Sequence, residues 1–137
     1  MREHKHLILR GYLGNPPKSS DEIVYTLREI VELIGMKILA DPRARYCYES
    51  GNEGYTGDVL LTTSHMIWHD WETEDNDDFG AILQFDVYSC SCFSVDKVIQ
   101  YLRETFDLQD FSYKLFDRSY EIIEEYADSF GQVSTRV

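Results

Sequence analysis

Two stretches of the chain carry apolar residues at helical spacing. Ile23, Leu27, Ile30, Val31 and Ile34 recur three or four positions apart, which gathers them on one face of a helix. Ser19 with Glu22 three residues later is a capping-box signal, and Gly35 is a stop. The pattern predicts an amphipathic helix over 20–34. Ser94 caps a second, with Val95, Val98, Ile99, Leu102 and Phe106 on one side. Elsewhere the apolar residues fall in short β-favouring runs. Residues 5–12 (KHLILRGY) predict a first strand, closed by Gly14-Asn15-Pro16-Pro17. Residues 36–40 predict a second, ended by Asp41-Pro42, and 46–48 another before the patternless loop 49–54. Residues 58–71 form one β-rich segment with Ser64 at its middle. Extended over 65–71, it sets His65, Ile67, His69 and Trp71 on one face and Met66, Trp68 and Asp70 on the other. Further strands are expected over 80–89 and through Phe111, Tyr113 and Leu115, with a third helix over 120–130 ended by Gly131. Five acids within 72–78 read as a solvated hairpin loop.

Too few helices separate the middle strands for an all-parallel, doubly wound sheet. The expected class is α+β: a two-layer sandwich with a largely antiparallel sheet and helices packed on one face. A strand-helix-strand pattern recurs weakly in the two halves. With 137 residues and no internal linker, residues 1–137 form a single domain.

Charge narrows the partners. The 25 acids outnumber the 13 Lys and Arg, for a net charge of −12, and such a surface repels nucleic-acid phosphates and anionic lipid heads. Neither nucleic acid nor membrane is expected as a partner. No run approaches the ~20 apolar residues of a membrane span, and the first residues lack a signal peptide's pattern, so a cytoplasmic protein is expected. Three cysteines, Cys47, Cys90 and Cys92, do not make a disulfide framework.

No P-loop, dinucleotide fingerprint or zinc-type cysteine pairing is present. His4 and His6 near the start read as incidental rather than metal ligands, and Cys90-Ser91-Cys92 without partner ligands is no metal site. What remains is Thr56 in a Gly54-Tyr55-Thr56-Gly57 turn, Ser64-His65, His69, and Cys90 at a strand end. A strand pair readily gathers a Ser, a His and a Cys, and periodicity does not separate ordinary sheet residues from a catalytic set.

The stretch from Gly54 to Leu102 (GYTGDVLLTTSHMIWHDWE, then AILQFDVYSCSCFSVDKVIQYL) resembles the prokaryotic S-adenosylmethionine decarboxylases. In that family a glycine-bounded turn, a Ser-His pair, a His followed by an aromatic and an acid, and an Asp-x-aromatic-Thr/Ser-Cys strand occur in this order. The resemblance extends more faintly over the N-terminal strand and helix. It implies a pyruvoyl-dependent enzyme made by self-cleavage between Thr63 and Ser64, yielding residues 1–63 and 64–137. The Ser64 hydroxyl would attack the Thr63 carbonyl, His69 would take the Ser64 α-proton, Thr56 would assist processing, and position 64 would end as the pyruvoyl group. That group acts as an electron sink much as pyridoxal phosphate does. Cys90 would protonate the substrate carbon. Glu72 matches the acid that holds the ribose hydroxyls, Tyr48 the aromatic that stacks on adenine. Family members pair into homodimers.

Two departures accompany the resemblance. Thr63 stands where the family has Glu before the processed serine, and Thr56 where it has Ser. The missing carboxylate matters to a cationic sulfonium substrate. Beside decarboxylation of S-adenosylmethionine for spermidine synthesis, the alternatives are a pyruvoyl decarboxylase of another amino acid, such as arginine or ornithine, and an unprocessed homologue acting as a binding or regulatory partner.

Overall fold

The structure, a computed structural model, describes residues 4–72, 80–118, 122–127 and 132–135. Both serine caps start helices. Ser19, in extended conformation, accepts from the Glu22 N–H at 3.1 Å and opens α1 (Ser20–Leu33); Gly35 follows its end with φ +73°, a conformation natural to glycine. Ser94 accepts from the Lys97 N–H at 3.3 Å and opens α2 (Val95–Phe106).

Eight strands among the described residues form one sheet: β1 (Lys5–Leu13), β2 (Ile38–Cys47), β3 (Gly54–Leu61), β4 (Ser64–Glu72), β5 (Ala81–Ser89), β6 (Leu108–Asp117), β7 (Ile122–Ala127) and β8 (Gln132–Thr135). Their spatial order is β2-β3-β4-β5-β1-β6-β7-β8, and each neighbouring pair is antiparallel. β1 and β2 therefore run in the same direction, four places apart, joined by α1. β5 and β6 likewise run together on either side of β1, joined by α2. These two crossovers are the strand-helix-strand pattern of each half, and they explain how an antiparallel sheet carries helices. The class is the expected α+β sandwich.

One sheet face is apolar and packs on the helices. Leu7, Leu9, Val59, Met66, Trp68, Leu83, Phe85 and Val87 meet Ile23, Leu27 and Ile30 of α1 and Val98, Leu102 and Phe106 of α2 in a single core. Trp68 lies inside it, its ring 5.7 Å from Phe85 and 5.5 Å from Phe106. The opposite face has no helix over it among the described residues. Across it run registered rows, Leu60–His65–Tyr88–His6–Phe116 and Thr56–His69–Gln84–Arg10–Ser112.

Three sequence expectations are corrected. Residues 58–71 are not one strand: Leu61 pairs with Ser64, so Thr62 and Thr63 form a two-residue connection between β3 and β4. Neither has positive φ, so this hairpin carries no Asn-Gly or Gly signal in the sequence. β2 continues through Asp41-Pro42 to Cys47 instead of splitting in two. It is an edge strand, and its register shifts between Ala40 and Arg43, so the proline's missing N–H disrupts no interior ladder. The third helix is a strand over Ile122–Ala127, paired with β6; tertiary pairing of β6's open edge outweighs the local spacing. The remaining positions of 120–130, and the loop after Glu72 over 73–79, lie outside the described residues.

Candidate active site

The connection between β3 and β4 puts Ser64 at the first position of β4, paired with Leu61 on one side and Ser89 on the other. Its side chain shares the face of Leu61 and Met66, toward the helices. The Ser64 hydroxyl is buried and has no hydrogen-bond partner, an unusual state for a buried polar atom. Thr63, just before it, is tied twice to the end of β5. Its carbonyl accepts from the Cys90 N–H at 3.3 Å, and its hydroxyl accepts from Ser89 Oγ at 3.1 Å. Ser89 Oγ in turn accepts from the Ser91 N–H at 2.9 Å. Thr63, Ser64, Ser89 and Cys90 thus form one cluster.

Thr56 and His69 form a second. They are direct cross-strand partners on β3 and β4, with Thr56 Oγ1 and His69 Nδ1 3.1 Å apart. The Trp71 ring lies parallel to His69 at 5.7 Å, and its N–H donates to Asn52 Oδ1 at 2.5 Å. The two glycines around Thr56 are required by close approaches. A Cβ on Gly57 would meet Ile23 Cγ2 at 2.7 Å, and one on Gly54 would fall on the Asp70 backbone carbonyl. Asp70, buried behind His69 on the core face, accepts from the Tyr55 N–H at 3.0 Å and Trp68 Nε1 at 2.9 Å. Burial raises its pKa, and these two bonds oppose the rise. Next to this cluster Tyr46 Oη donates to Glu72 Oε1 at 2.6 Å. That bond, ahead of burial, pushes the Tyr46 phenol up to about 12. The Tyr48 ring is 4.6 Å from Tyr46 and 85% exposed, open to a stacking partner.

These clusters do not meet within one chain. Ser64 and His69 are five positions apart on β4, about 17 Å along an extended strand, and an odd offset sends their side chains to opposite faces. Thr56, paired with His69, is as distant. His65, beside Ser64, faces the uncovered side with its ring 5.6 Å from Tyr88. His6 reaches Asp86 at 3.4 Å, and His4 Nδ1 lies 3.0 Å from the Tyr88 hydroxyl. Cys92 lies past β5, outside both clusters, while Cys47, at the end of β2, pairs with Gly54 and accepts from Asn52 Nδ2 at 3.8 Å at the margin of the second.

Ser89, Tyr46 and Asp70 are absent from the sequence-derived set. Ser89 had a readable signal: β5's inward positions are Ala81, Leu83, Phe85 and Val87, and a hydroxyl continues that row. Asp70 had the same one, a carboxylate in line with Met66 and Trp68. Tyr46 had none, because its partner is 26 residues away.

No curated protein matches the chain. The family model for S-adenosylmethionine decarboxylase matches residues 5–119, the span that includes α1, α2, both clusters and all of β1 to β6. With the match covering most of its length, the chain belongs to the S-adenosylmethionine decarboxylase family.

Proposed function

We propose that the chain is a proenzyme that cuts itself between Thr63 and Ser64, and whose processed form decarboxylates S-adenosylmethionine in the cytoplasm to supply the aminopropyl donor for spermidine. The observation that carries this reading is the Ser64 hydroxyl, buried without a partner directly after a carbonyl that already accepts the Cys90 N–H. A nucleophile needs a lone pair not already engaged and an acceptor carbonyl polarised by a donor.

Processing would begin as Ser64 Oγ bonds to the Thr63 carbonyl carbon while the Thr63–Ser64 C–N bond breaks and the hydroxyl proton passes to nitrogen. A base then takes the Ser64 α-proton, the Cβ–O ester bond breaks, and Thr63 leaves as a carboxylate. Water replaces the amine as ammonia, and no electrons are lost or gained. The residues fit a pyruvoyl group at position 64, since the buried Ser64 hydroxyl makes no hydrogen bond that its loss would break, and Cys90, whose N–H holds the Thr63 carbonyl, is close by. When present, that group supplies the electron sink for loss of carbon dioxide. Cys90 Sγ would deliver the proton to the substrate carbon, Glu72, braced by Tyr46, would hold the ribose hydroxyls, and Tyr48 would stack on adenine.

His69 is the base in this reading, yet it lies about 17 Å from Ser64 along the strand. We infer that it comes from a second copy. In a two-fold homodimer each protomer would offer Ser64 and Cys90 to one site and Thr56, His69, Tyr48 and Glu72 to the other. The uncovered sheet face supports the pairing of two copies. It presents Thr56 and His69, and it leaves Ile8 38% and Leu60 50% exposed.

Thr63, uncharged where the family has Glu, favours a second reading, decarboxylation of a different amino acid such as arginine or ornithine. Intact-mass analysis of the purified protein tests processing: fragments 1–63 and 64–137, with one water added and one ammonia lost, are expected, and a single uncut chain with Ser64 unchanged refutes it. Release of labelled carbon dioxide from carboxyl-labelled S-adenosylmethionine, arginine and ornithine then identifies the substrate.

A further inference from the structure

We propose that Ser89 is a positioning residue for the self-cleavage, acting through the Thr63 side chain; this rests on the processing reading above. Ser89 is fully buried, at 0% exposure, in an inward row that is otherwise apolar. A hydroxyl placed there must be hydrogen-bonded to offset its desolvation, and the bond it donates leads to the cleavage site. It donates to Thr63 Oγ1 at 3.1 Å and accepts from the Ser91 N–H at 2.9 Å, while the Cys90 N–H between them reaches the Thr63 carbonyl at 3.3 Å. Two consecutive residues, Ser89 and Cys90, therefore hold Thr63 by its hydroxyl and its carbonyl, and the Ser91 N–H orients the Ser89 hydroxyl.

The geometry gives each contact a task. The Thr63 peptide sits in a two-residue connection that the Thr62 N–H ties to the Lys37 carbonyl at 3.0 Å, and the Thr63 carbonyl itself is held by the Cys90 N–H. At 3.3 Å the Cys90 N–H is a long donor to a neutral carbonyl. As Ser64 Oγ bonds to the carbonyl carbon, the C=O π pair moves onto oxygen, and the same N–H meets an oxyanion and shortens. The oxyanion then collapses, the C–N bond breaks, and the Oγ proton passes to the Ser64 nitrogen. Ser89 touches none of the reacting atoms; it keeps the carbonyl aimed at the Cys90 N–H. Thr63, short and hydroxylated, suits this clamp because its Oγ reaches across a single strand pair.

The test is a double-mutant cycle on processing. Wild type, Ser89→Ala, Thr63→Val, the double variant and Ser89→Thr are made by pulsed cell-free synthesis, and conversion to the 1–63 and 64–137 fragments is followed by intact mass. Ser89→Ala and Thr63→Val are each expected to slow conversion about ten- to a hundredfold, the range for a displaced reacting group. The double variant is expected to be no slower than the slower single, and Ser89→Thr to convert near the wild-type rate. Wild-type conversion by either single variant, or fully multiplicative slowing in the double, overturns the role. Should Ser89→Ala not fold, Thr63→Val removes the same bond and decides alone. A wild-type chain that never cleaves overturns the processing reading itself; wild-type cleavage with unaffected variants overturns only the part assigned to Ser89.

Discussion

The separation of Ser64 from His69 makes a demanding prediction for mixed dimers. Ser64→Ala lacks the attacking hydroxyl but keeps His69; His69→Ala keeps the hydroxyl but lacks the base. Alone, neither variant is expected to complete processing. Five strand positions place the two residues about 17 Å apart, whereas a base must come within about 3 Å of the proton it removes. No rotamer of His69 spans the difference, so in the proposed mechanism the serine it serves would lie on another chain. When the two variants are co-expressed in equal amounts, about half of the dimers contain one of each. Each such dimer holds one site with both Ser64 and His69 and one site with neither. About half of the His69→Ala chains, and about a quarter of all chains, should therefore be cut, and every cut chain should be a His69→Ala chain. Distinct tags on the two variants, read by intact mass, give both quantities. Absence of cleavage in the mixture, with mixed dimers shown to form, refutes the shared site. Cleavage of His69→Ala on its own removes the histidine from the reaction.

Cys90→Ala should still be processed, because it keeps the backbone N–H that meets the Thr63 carbonyl, but should turn over poorly and inactivate fast; progress curves with mass analysis of the spent protein check this. Tyr46→Phe frees Glu72 from its 2.6 Å bond and should raise KM for S-adenosylmethionine about fivefold, the worth of ~1 kcal/mol, with kcat little changed in steady-state kinetics. Trp68→Phe preserves the aromatic packing but leaves the buried Asp70 short of one donor, costing about 1.5–3 kcal/mol in urea unfolding of the uncleavable Ser64→Ala chain. His65 has its pKa lowered from 6.5 by burial first, then by His6 and Arg118, against an opposing pull from Asp86. Below pH 6.5 the unfolded chain takes up a proton that the folded chain resists, so stability present above that pH is lost as pH falls through the lowered value. His65→Gln should flatten this part of the pH–stability curve, and an unchanged slope would contradict the assignment.

How much was legible before folding varied with the range of the interaction. The two helix caps rest on contacts three residues long, Ser19 to Glu22 and Ser94 to Lys97, and the sequence shows both. The alternation along β4 is as local, and His65, Ile67 and His69 do face away from Met66, Trp68 and Asp70. The hairpin at Thr62-Thr63 was hidden because its residues carry no turn signature. The strand over Ile122–Ala127 was hidden because only the open edge of β6 selects it.

By itself, the chain supplied Thr56, Ser64, His69 and Cys90 in an order that resembles the S-adenosylmethionine decarboxylases, and that resemblance, which needs no coordinates, marked them as candidates. The chain determined the fold class as well, because helical and strand periods are properties of short windows. Only the tertiary structure decided which of those residues stand together. Register across β3, β4 and β5 joined Thr63 and Ser64 to Ser89 and Cys90, joined Thr56 to His69, and kept the two groups about 17 Å apart. Strand pairing sets such distances through backbone hydrogen bonds between segments far apart in sequence, and no local pattern encodes them.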